Sequence, residues 1–522
     1  MIVFLRKYHL LAGGLLLLVY LVNGLITIPQ LSPNSDERDH FNYATRFVKG
    51  HPEKVKPFDD ASTMPVSVLN TIPRAVQQLV HPTLKKADGG ASDIIAGRYI
   101  TLIISLLIGV LTWRWSFEWY GRSGGLLSLF FFTFCPNLFA HSCLVTTDSY
   151  SALFTLASAY LFWKSVEKPG YLNTILFALA LAMAQLAKQS LTHLLIVYLV
   201  LYIIVKTMDY KRSSWRREIL KPLIVFSIIL VVISAGFQFK QVGWRLTDYN
   251  FRSSFFKQTS TRLAVLNELP LPLPKAYIDG LDLTKNIDEM GPGHPESSGK
   301  VYVLGQYRQG RGFWYYYFVV LFFKTPIPVL ICTFLFVYYL RKRREDLVKR
   351  EFIPLFIIGY FLVYFSFFYN SQVGIRHIIM IFPLLYVLLG SLTGRLKWPN
   401  YIWAILLVYS VATFYYYFPN LLSYTNEFLL PKRNAYRYLS DSNIEYQHTI
   451  FWYNRFLKEH PDIQPAPGKP HPGKFIVNMN DYLNLDGKHN FRWLHKYKPT
   501  RQEFFSYLVF EIPFDDPGKV RN

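Results

Sequence analysis

The chain has 522 residues, of which 51% are hydrophobic and only 17% are charged, with a formal net charge of +22. A soluble globular domain carries about a quarter charged residues, so this composition argues against a soluble protein and favours one that faces lipid. The basic residues fall mostly in short loops between apolar runs, where membrane proteins place them on the cytoplasmic side, and no nucleic-acid partner is expected.

The apolar runs predict an all-α polytopic membrane protein with about 11 transmembrane helices. The predicted spans lie near 9–29, 94–113, 122–140, 146–163, 171–187, 189–206, 219–237, 313–340, 351–369, 376–393 and 401–418. The first run follows two basic residues as a signal peptide would. It is long for a signal peptide and lacks a small-residue cleavage site, so we predict a retained helix.

The basic residues also predict the orientation of these spans. If the N-terminus is cytoplasmic, every second gap between spans should be basic. Those gaps contain, among others, Arg114 and Arg122, then Lys164 and Lys168, then Arg341-Lys-Arg-Arg344. The opposite loop at 141–145 has no Lys or Arg. The polar stretches 30–93, 238–312 and 419–522 are therefore predicted to lie outside the cytoplasm.

Two domains are predicted from this pattern. Residues 1–418 form a transmembrane domain with the outer loops 30–93 and 238–312, and residues 419–522 form an extracytoplasmic C-terminal domain. Strand-like stretches at 474–477 and 504–512 indicate a small α/β region in this second domain.

Two acidic motifs are candidate sites, because ionisable groups near the membrane are costly and usually functional. The first is Ser35-Asp-Glu-Arg-Asp-His40-Phe41, in a helix predicted over 35–48 with Gly50 as its stop. The second is Thr146-Thr147-Asp148 at the outer start of a span, where Thr146 could cap the helix. In both, the carboxylates are either catalytic or ordinary first-turn acids that complement the helix dipole.

Three cationic sites lie on the same predicted face of the membrane. Lys188 interrupts an apolar stretch at the turn of a helical hairpin, Arg376 and His377 begin a span, and Lys324 follows an aromatic run and precedes two prolines. Each lysine either snorkels to the interface or binds an anion. A cation at a helix N-terminus conflicts with the dipole, which favours an anionic partner for Arg376.

Together these motifs suit a reaction between an acceptor nucleophile and a lipid phosphate. A carboxylate removes the proton of the acceptor, while Lys or Arg holds the phosphate and stabilises its growing charge. The order of the motifs resembles the C-type glycosyltransferase superfamily over nearly the whole chain. Within this superfamily, the chain most resembles the branch that contains the polyprenyl-phosphate-mannose protein O-mannosyltransferases and the lipid A aminoarabinose transferase. The resemblance is carried by Asp36-Glu37 with His40-Phe41, Pro136-Asn137 through Asp148, Lys188, the stretch 305–326, Gly374-Ile-Arg-His377, Tyr424-Thr-Asn-Glu427 and 436–443.

The resemblance implies an inverting membrane glycosyltransferase with a polyprenyl-phosphate sugar as donor. A protein, lipid or polysaccharide hydroxyl is the acceptor, and a bacterial inner membrane with the site facing the periplasm is the expected location. Asp36 is the first choice for the base and Glu37 the second, and Asp148 is the second acidic site. Lys188 is a donor-phosphate ligand, with Arg376 as an extension of that role.

Some relatives bind a divalent cation and others do not. Asp36, Glu37 and Asp148 would hold one only if they converge. In the tail, bacterial relatives commonly continue Asp-Ser-Asn with Asp-Trp-Gly-Gln, whereas this chain has Ile444-Glu-Tyr-Gln447. The main alternative function is a polyprenyl-linked glycan transporter or flippase, although the charges gather at one face and no repeat of halves is visible. A non-catalytic scaffold with the same fold is the other alternative.

Overall fold

The computed structural model describes residues 8–82, 89–208, 215–262, 267–294, 299–342, 350–396, 398–487 and 491–513. Most of them are helical. The helices up to residue 290 are His9–Thr27, Ser35–Val48, Ile72–Val80, Ala91–Thr133, Pro136–Ser142, Asp148–Glu167, Tyr171–Ala187, His193–Met208, Trp215–Gly236, Ser254–Arg262 and Lys275–Met290. Those that follow are Tyr316–Lys324, Ile327–Lys342, Phe352–Val363, Ile381–Leu389, Leu392–Arg395, Asn400–Tyr417, Ile450–Glu459 and Met479–Tyr482.

The longest helix, Ala91–Thr133, is the centre of the bundle. It packs against His9–Thr27, Asp148–Glu167 and Ile381–Leu389. Gly121 breaks it with a φ of 73°, between the two spans predicted at 94–113 and 122–140. Only glycine adopts this backbone readily, so the break is encoded at that residue.

Three described helices are long and apolar enough to cross a membrane: His9–Gln30, Ala91–Thr133 and Gln189–Thr207. A bent pair, Tyr316–Lys324 with Ile327–Arg341, would be a fourth if it forms one span. Further apolar helices are shorter, as at Tyr171–Ala187 and Leu220–Gly236. The membrane character of the chain is therefore supported, while the predicted number of spans is not confirmed.

Several predicted spans are not continuous helices. The one at 313–340 bends by 119° between Lys324 and Ile327. Pro326 causes this, because proline lacks an N–H and disfavours helical backbone in the residue before it. The span at 376–393 is likewise divided into a 3-10 turn, Ile375–Ile378, and the helices Ile381–Leu389 and Leu392–Arg395.

The described parts of the long polar loops are folded. The helix Ser35–Val48 has the predicted bounds, because Asn34 and Glu37 form a capping box at its start. It packs against the 3-10 segment Pro65–Thr71. In the later loop, β1 (Val301–Val303) and β2 (Gln306–Arg308) form an antiparallel pair.

The C-terminal region contains a small four-stranded sheet. Its strands are β3 (Ile463–Pro465), β4 (Gly473–Asn478), β5 (Arg501–Glu503) and β6 (Tyr507–Ile512), in the order β3-β4-β6-β5. Strand β4 covers the stretch predicted at 474–477, whereas β6 covers only 507–512 of the stretch predicted at 504–512. The two strands pair antiparallel with Lys474 opposite Glu511. A helix, Ile450–Glu459, packs through Phe456 against a small core on one face of the sheet.

Candidate active site

Asp36 lies in the first turn of the helix Ser35–Val48 and forms an ion pair with Arg376. The Arg376 Nη1 atom donates to Asp36 Oδ2 at 2.5 Å, and the hydroxyl of Tyr446 donates to the same oxygen. The Asp36 side chain remains 29% exposed. Its Oδ1 atom accepts no hydrogen bond from any residue that the structure describes. One oxygen of the carboxylate is therefore held and the other is available to a ligand.

The environment of Asp36 keeps its carboxylate ionised. Burial opposes the charge, but the charge of Arg376 and the hydrogen bonds from Arg376 and Tyr446 outweigh it and lower the pKa of Asp36 below its usual 3.8. Burial also lowers the pKa of the neighbouring His40 to about 4. At neutral pH the site therefore contains a charged carboxylate beside a neutral imidazole, which is the protonation state that a base requires.

A second ion pair joins Asp148 and Lys188. The Lys188 Nζ atom donates to Asp148 Oδ1 at 2.7 Å. The other oxygen of Asp148 accepts from Thr146 Oγ1 at 3.1 Å and lies 3.3 Å from His141 Nδ1. Thr146 thus binds the carboxylate and does not cap the helix as expected, since Thr147 holds the N-cap position.

The two ion pairs adjoin each other through Arg376. Lys188 Nζ also contacts the backbone oxygen of Arg376, at 3.5 Å. The Arg376 Nε atom is buried and has no hydrogen-bond acceptor among the described residues. A buried donor without a partner costs about 1–3 kcal/mol, which an anionic ligand in this position would remove.

Glu37 is next to Asp36 in sequence but does not share its environment. Its side chain is fully buried in a bidentate pair with Arg98, with distances of 2.8 and 2.6 Å. It also accepts the backbone N–H groups of Asn34, at 3.1 Å, and Val145, at 2.8 Å. Glu37 therefore joins the first loop to the segment before Asp148, and the structure does not bring it to the Asp36–Arg376 pair.

Among the described residues, Lys324 donates no hydrogen bond to either ion pair, whereas His377 interacts electrostatically with all four of their charged groups. Lys324 is buried, and its ammonium donates to the backbone oxygens of Leu422 at 2.7 Å and Asn443 at 2.6 Å. These contacts connect the bent helix pair to the tail and occupy two of the three N–H donors of the ammonium group. The Nδ1 atom of His377 contacts the hydroxyl of Tyr317 at 3.3 Å.

Three residues of the site were missed by the sequence analysis. Arg98, His141 and Tyr446 hold Glu37, Asp148 and Asp36 respectively. Arg98 could have been identified from the sequence, because it is a charged residue inside an apolar run. For Tyr446 the sequence gives a single indication, which is its position in the stretch where the tail departs from the family pattern.

The carboxylates do not form a metal centre. Within the described part of the chain, no group of three or more His, Cys, Asp and Glu side chains could hold a metal ion. Asp36 and Asp148 are each paired with a cationic side chain, and Glu37 binds Arg98. A divalent cation requires several oxygen ligands around one point, so these three residues do not fit one in this arrangement.

Comparison with known proteins agrees with this architecture. Residues 90–236 match the family model described as dolichyl-phosphate-mannose-protein mannosyltransferase. No curated protein matches the chain in sequence.

Two solved structures share the fold. The crystal structure of ArnT from Cupriavidus metallidurans bound to undecaprenyl phosphate matches with a TM-score of 0.50 and 12% identity, over 97% of this chain and 98% of that one. The Archaeoglobus fulgidus oligosaccharyltransferase in its apo form matches with a TM-score of 0.50 and 12% identity, over 83% of this chain and 58% of that one. These likenesses show that the chain has the fold predicted from its resemblance, that of the C-type glycosyltransferase superfamily.

Proposed function

We propose that this protein is an inverting membrane glycosyltransferase. It transfers a sugar from a polyprenyl-phosphate donor to an acceptor hydroxyl on the extracytoplasmic face. This proposal rests on the contact between two carboxylate–cation pairs, Asp36 with Arg376 and Asp148 with Lys188. One pair supplies a base, and both supply cations for a phosphate.

In the proposed reaction, Asp36 Oδ1 accepts the proton of the acceptor hydroxyl. The acceptor oxygen forms a bond to the anomeric carbon of the sugar as the bond from that carbon to the phosphate oxygen breaks. The electron pair of the broken bond leaves with the polyprenyl phosphate, and the sugar passes through a transition state with oxocarbenium character, as in other glycosyl chemistry. No group other than donor, acceptor and protein is needed to balance the step.

Lys188 and Arg376 are the proposed phosphate ligands. The phosphate gains a charge as it leaves, and cations held in place before the reaction stabilise that charge without reorganising. Arg376 offers its buried Nε atom, which no described residue accepts from. Asp148 keeps Lys188 oriented until the donor phosphate shares its ammonium group. This arrangement uses no metal.

The setting of the reaction is part of the proposal. In its crystal structure, ArnT from Cupriavidus metallidurans is bound to undecaprenyl phosphate, which supports a polyprenyl carrier here. A bundle of about 11 spans with the site facing the periplasm of a bacterial inner membrane accounts for the basic inner loops. Residues 1–418 would form the catalytic domain and residues 419–522 an extracytoplasmic domain.

The test is donor turnover by the purified protein in nanodiscs. Mannosyl, glucosyl and aminoarabinosyl polyprenyl phosphates are offered with protein, lipid and polysaccharide acceptors. Consumption of one donor, together with its loss in Asp36→Asn while donor still binds, supports both the enzyme class and the base. Equal consumption by wild type and Asp36→Asn contradicts the base. If no polyprenyl phosphate binds at all, the transferase proposal fails and a transporter becomes the better explanation.

A further inference from the structure

The C-terminal tail returns to the first loop and runs beside the start of the Asp36 helix. The Ser32 N–H donates to the backbone oxygen of His448 at 3.0 Å, and the Ile450 N–H donates to Ser32 Oγ at 2.9 Å. The Ser35 N–H donates to the side-chain oxygen of Gln447 at 3.1 Å. This part of the tail is therefore held against the residues that position Asp36.

The same part of the tail is held against the turn that carries Arg376. The Ile375 N–H donates to Asn443 Oδ1 at 3.0 Å. Gly374 has a φ of +62°, and a Cβ at this position would lie 2.2 Å from Ser442 Oγ. Only glycine permits both this backbone and this close approach. The tail between residues 442 and 450 thus spans from one partner of the Asp36–Arg376 pair to the other.

Tyr446 lies in this span and contacts both partners. Its hydroxyl donates to Asp36 Oδ2 and accepts from Arg376 Nη1. The Arg376 guanidinium carbon lies 4.8 Å from the centroid of the tyrosine ring, a distance at which cation–π attraction operates. The hydroxyl and the ring together restrict where the carboxylate and the guanidinium can move.

An anchor next to Tyr446 connects it to the C-terminal sheet. Glu445 is buried, and its Oε2 atom accepts from Thr449 Oγ1 and Ser506 Oγ, each at 2.6 Å. Ser506 directly precedes strand β6. The position of Tyr446 is therefore determined by the folded tail and not by the transmembrane bundle alone.

We infer that Tyr446 is a positioning residue for the proposed reaction. It holds Oδ2 of Asp36 so that Oδ1 faces the acceptor hydroxyl, and it keeps Arg376 beside the donor phosphate. This inference rests on the proposed function. It gives the divergent tail a direct part in the site, since the tyrosine stands in the stretch where Ile444-Glu-Tyr-Gln447 replaces the usual family sequence.

The test replaces only the hydroxyl, with Tyr446→Phe, and measures the protonation of Asp36 directly. Protonated carboxyl groups react with dicyclohexylcarbodiimide, so labelling of Asp36 followed by mass spectrometry across pH reports its titration. The groups that surround Asp36 and could contribute are Arg376, Tyr446, His40, Asp39, His377 and Asp441. The lost hydrogen bond had favoured the charged form, so the labelling midpoint is expected to rise by about one pH unit.

Donor turnover gives the second readout. We expect kcat of Tyr446→Phe to fall about tenfold, the order that one hydrogen bond to a charged group contributes. The donor KM should stay close to wild type, because the phenylalanine ring still packs against Arg376 and both phosphate ligands are present. Tyr453→Phe is the matched control, since its ring stacks on Tyr507 beside the sheet.

The two readouts separate the failure of this inference from the failure of the proposed function. An unchanged labelling midpoint in Tyr446→Phe overturns the positioning role whether or not a donor turns over. If a donor is consumed and the labelling midpoint of Asp36 shifts while kcat is unchanged, the positioning role is also overturned. A shifted midpoint in a protein that consumes no donor supports the effect of Tyr446 on Asp36 and contradicts the transferase assignment.

Discussion

Two carboxylate–guanidinium pairs formed by adjacent acidic residues have opposite surroundings. The pair of Asp36 and Arg376 has side chains 29% and 17% exposed, whereas the pair of Glu37 and Arg98 is fully buried. Every contact of Glu37 comes from groups that define the fold, such as the Val145 N–H. Asp36 keeps one oxygen without a partner among the described residues. In the proposed assignment, exposure and unused hydrogen-bonding capacity, and not residue type, separate the reactive carboxylate from the structural one.

The largest expected effect follows from removing the charge of Asp36. Asp36→Asn should lower kcat by about 10²–10⁴-fold, the usual contribution of a general base. Thermal unfolding and binding of polyprenyl phosphate should stay close to wild type, because the residue is partly exposed and the amide keeps the shape. Donor consumption and a melting curve on the same sample check both statements. A large loss of stability would mean that this pair is structural too.

The buried pair should respond in the opposite way. Glu37→Gln leaves Arg98 buried without its counter-charge, which destabilises a protein by about 3–5 kcal/mol. We expect a clearly lower unfolding temperature and poor yield, while the molecules that remain folded keep much of their turnover. If Glu37→Gln is stable and inactive, Glu37 is the base and the distinction between the two residues is wrong.

The phosphate ligand is tested by Lys188→Ala. A charge-assisted hydrogen bond contributes about 1.5–3 kcal/mol, so affinity for polyprenyl phosphate should fall by roughly 10- to 150-fold. Titration of the lipid into labelled protein measures this. Lys285→Ala is the control, because Lys285 forms a comparable 2.7 Å pair with Asp288 outside the site. Equal losses in the two variants would remove the case for a specific contact.

The smallest expected effect concerns pH. The pKa of Asp36 is lowered below 3.8, so its carboxylate stays ionised as pH falls and turnover is lost only near or below that value. The pKa of His40 is about 4, so this residue stays neutral over the same range. Turnover should therefore not decrease between pH 7 and pH 5 on account of either residue.

One other group near Asp36 can titrate in the physiological range. Burial, with the nearby carboxylates of Asp59 and Asp36, raises the pKa of Asp39 to about 7. Its protonation on acidification removes a negative charge beside Asp36, which favours the ionised form of the Asp36 carboxylate. Asp39→Asn should accordingly leave the acid side of the rate profile unchanged. An acid limb near pH 6 that persists in this variant would contradict the low pKa of Asp36.

Local signals were sufficient for several elements of the fold. The helix Ser35–Val48 was predicted with its bounds, because the acidic first turn and the stop at Gly50 are both local features of the sequence. The helix Tyr171–Ala187 was similarly delimited by its apolar run. The two prolines that follow Lys324 predict a kink but not a break of 119°, because the size of a bend depends on what the freed backbone packs against.

The site was only partly predictable, because its contacts also depend on parts of the chain that are distant in sequence. The sequence predicts Asp36 and Glu37 as alternative bases. Neighbouring helix residues point in directions about 100° apart, so only one of the two can face the interior. The structure shows that Glu37 is the buried one, because it pairs with Arg98. Tyr446 lies 410 residues from Asp36 in the chain, so its contact with Asp36 depends on the folding of the whole tail. The carbonyl partners of Lys324, on Leu422 and Asn443, are likewise distant in the chain and could not be predicted from the sequence.

The most direct test of the proposed base measures turnover and unfolding temperature for Asp36→Asn and Glu37→Gln side by side in one nanodisc preparation. We expect Asp36→Asn to be stable and inactive, and Glu37→Gln to be unstable with turnover retained by the folded fraction. The reverse result, a stable and inactive Glu37→Gln with an active Asp36→Asn, would contradict the assignment of the reactive carboxylate.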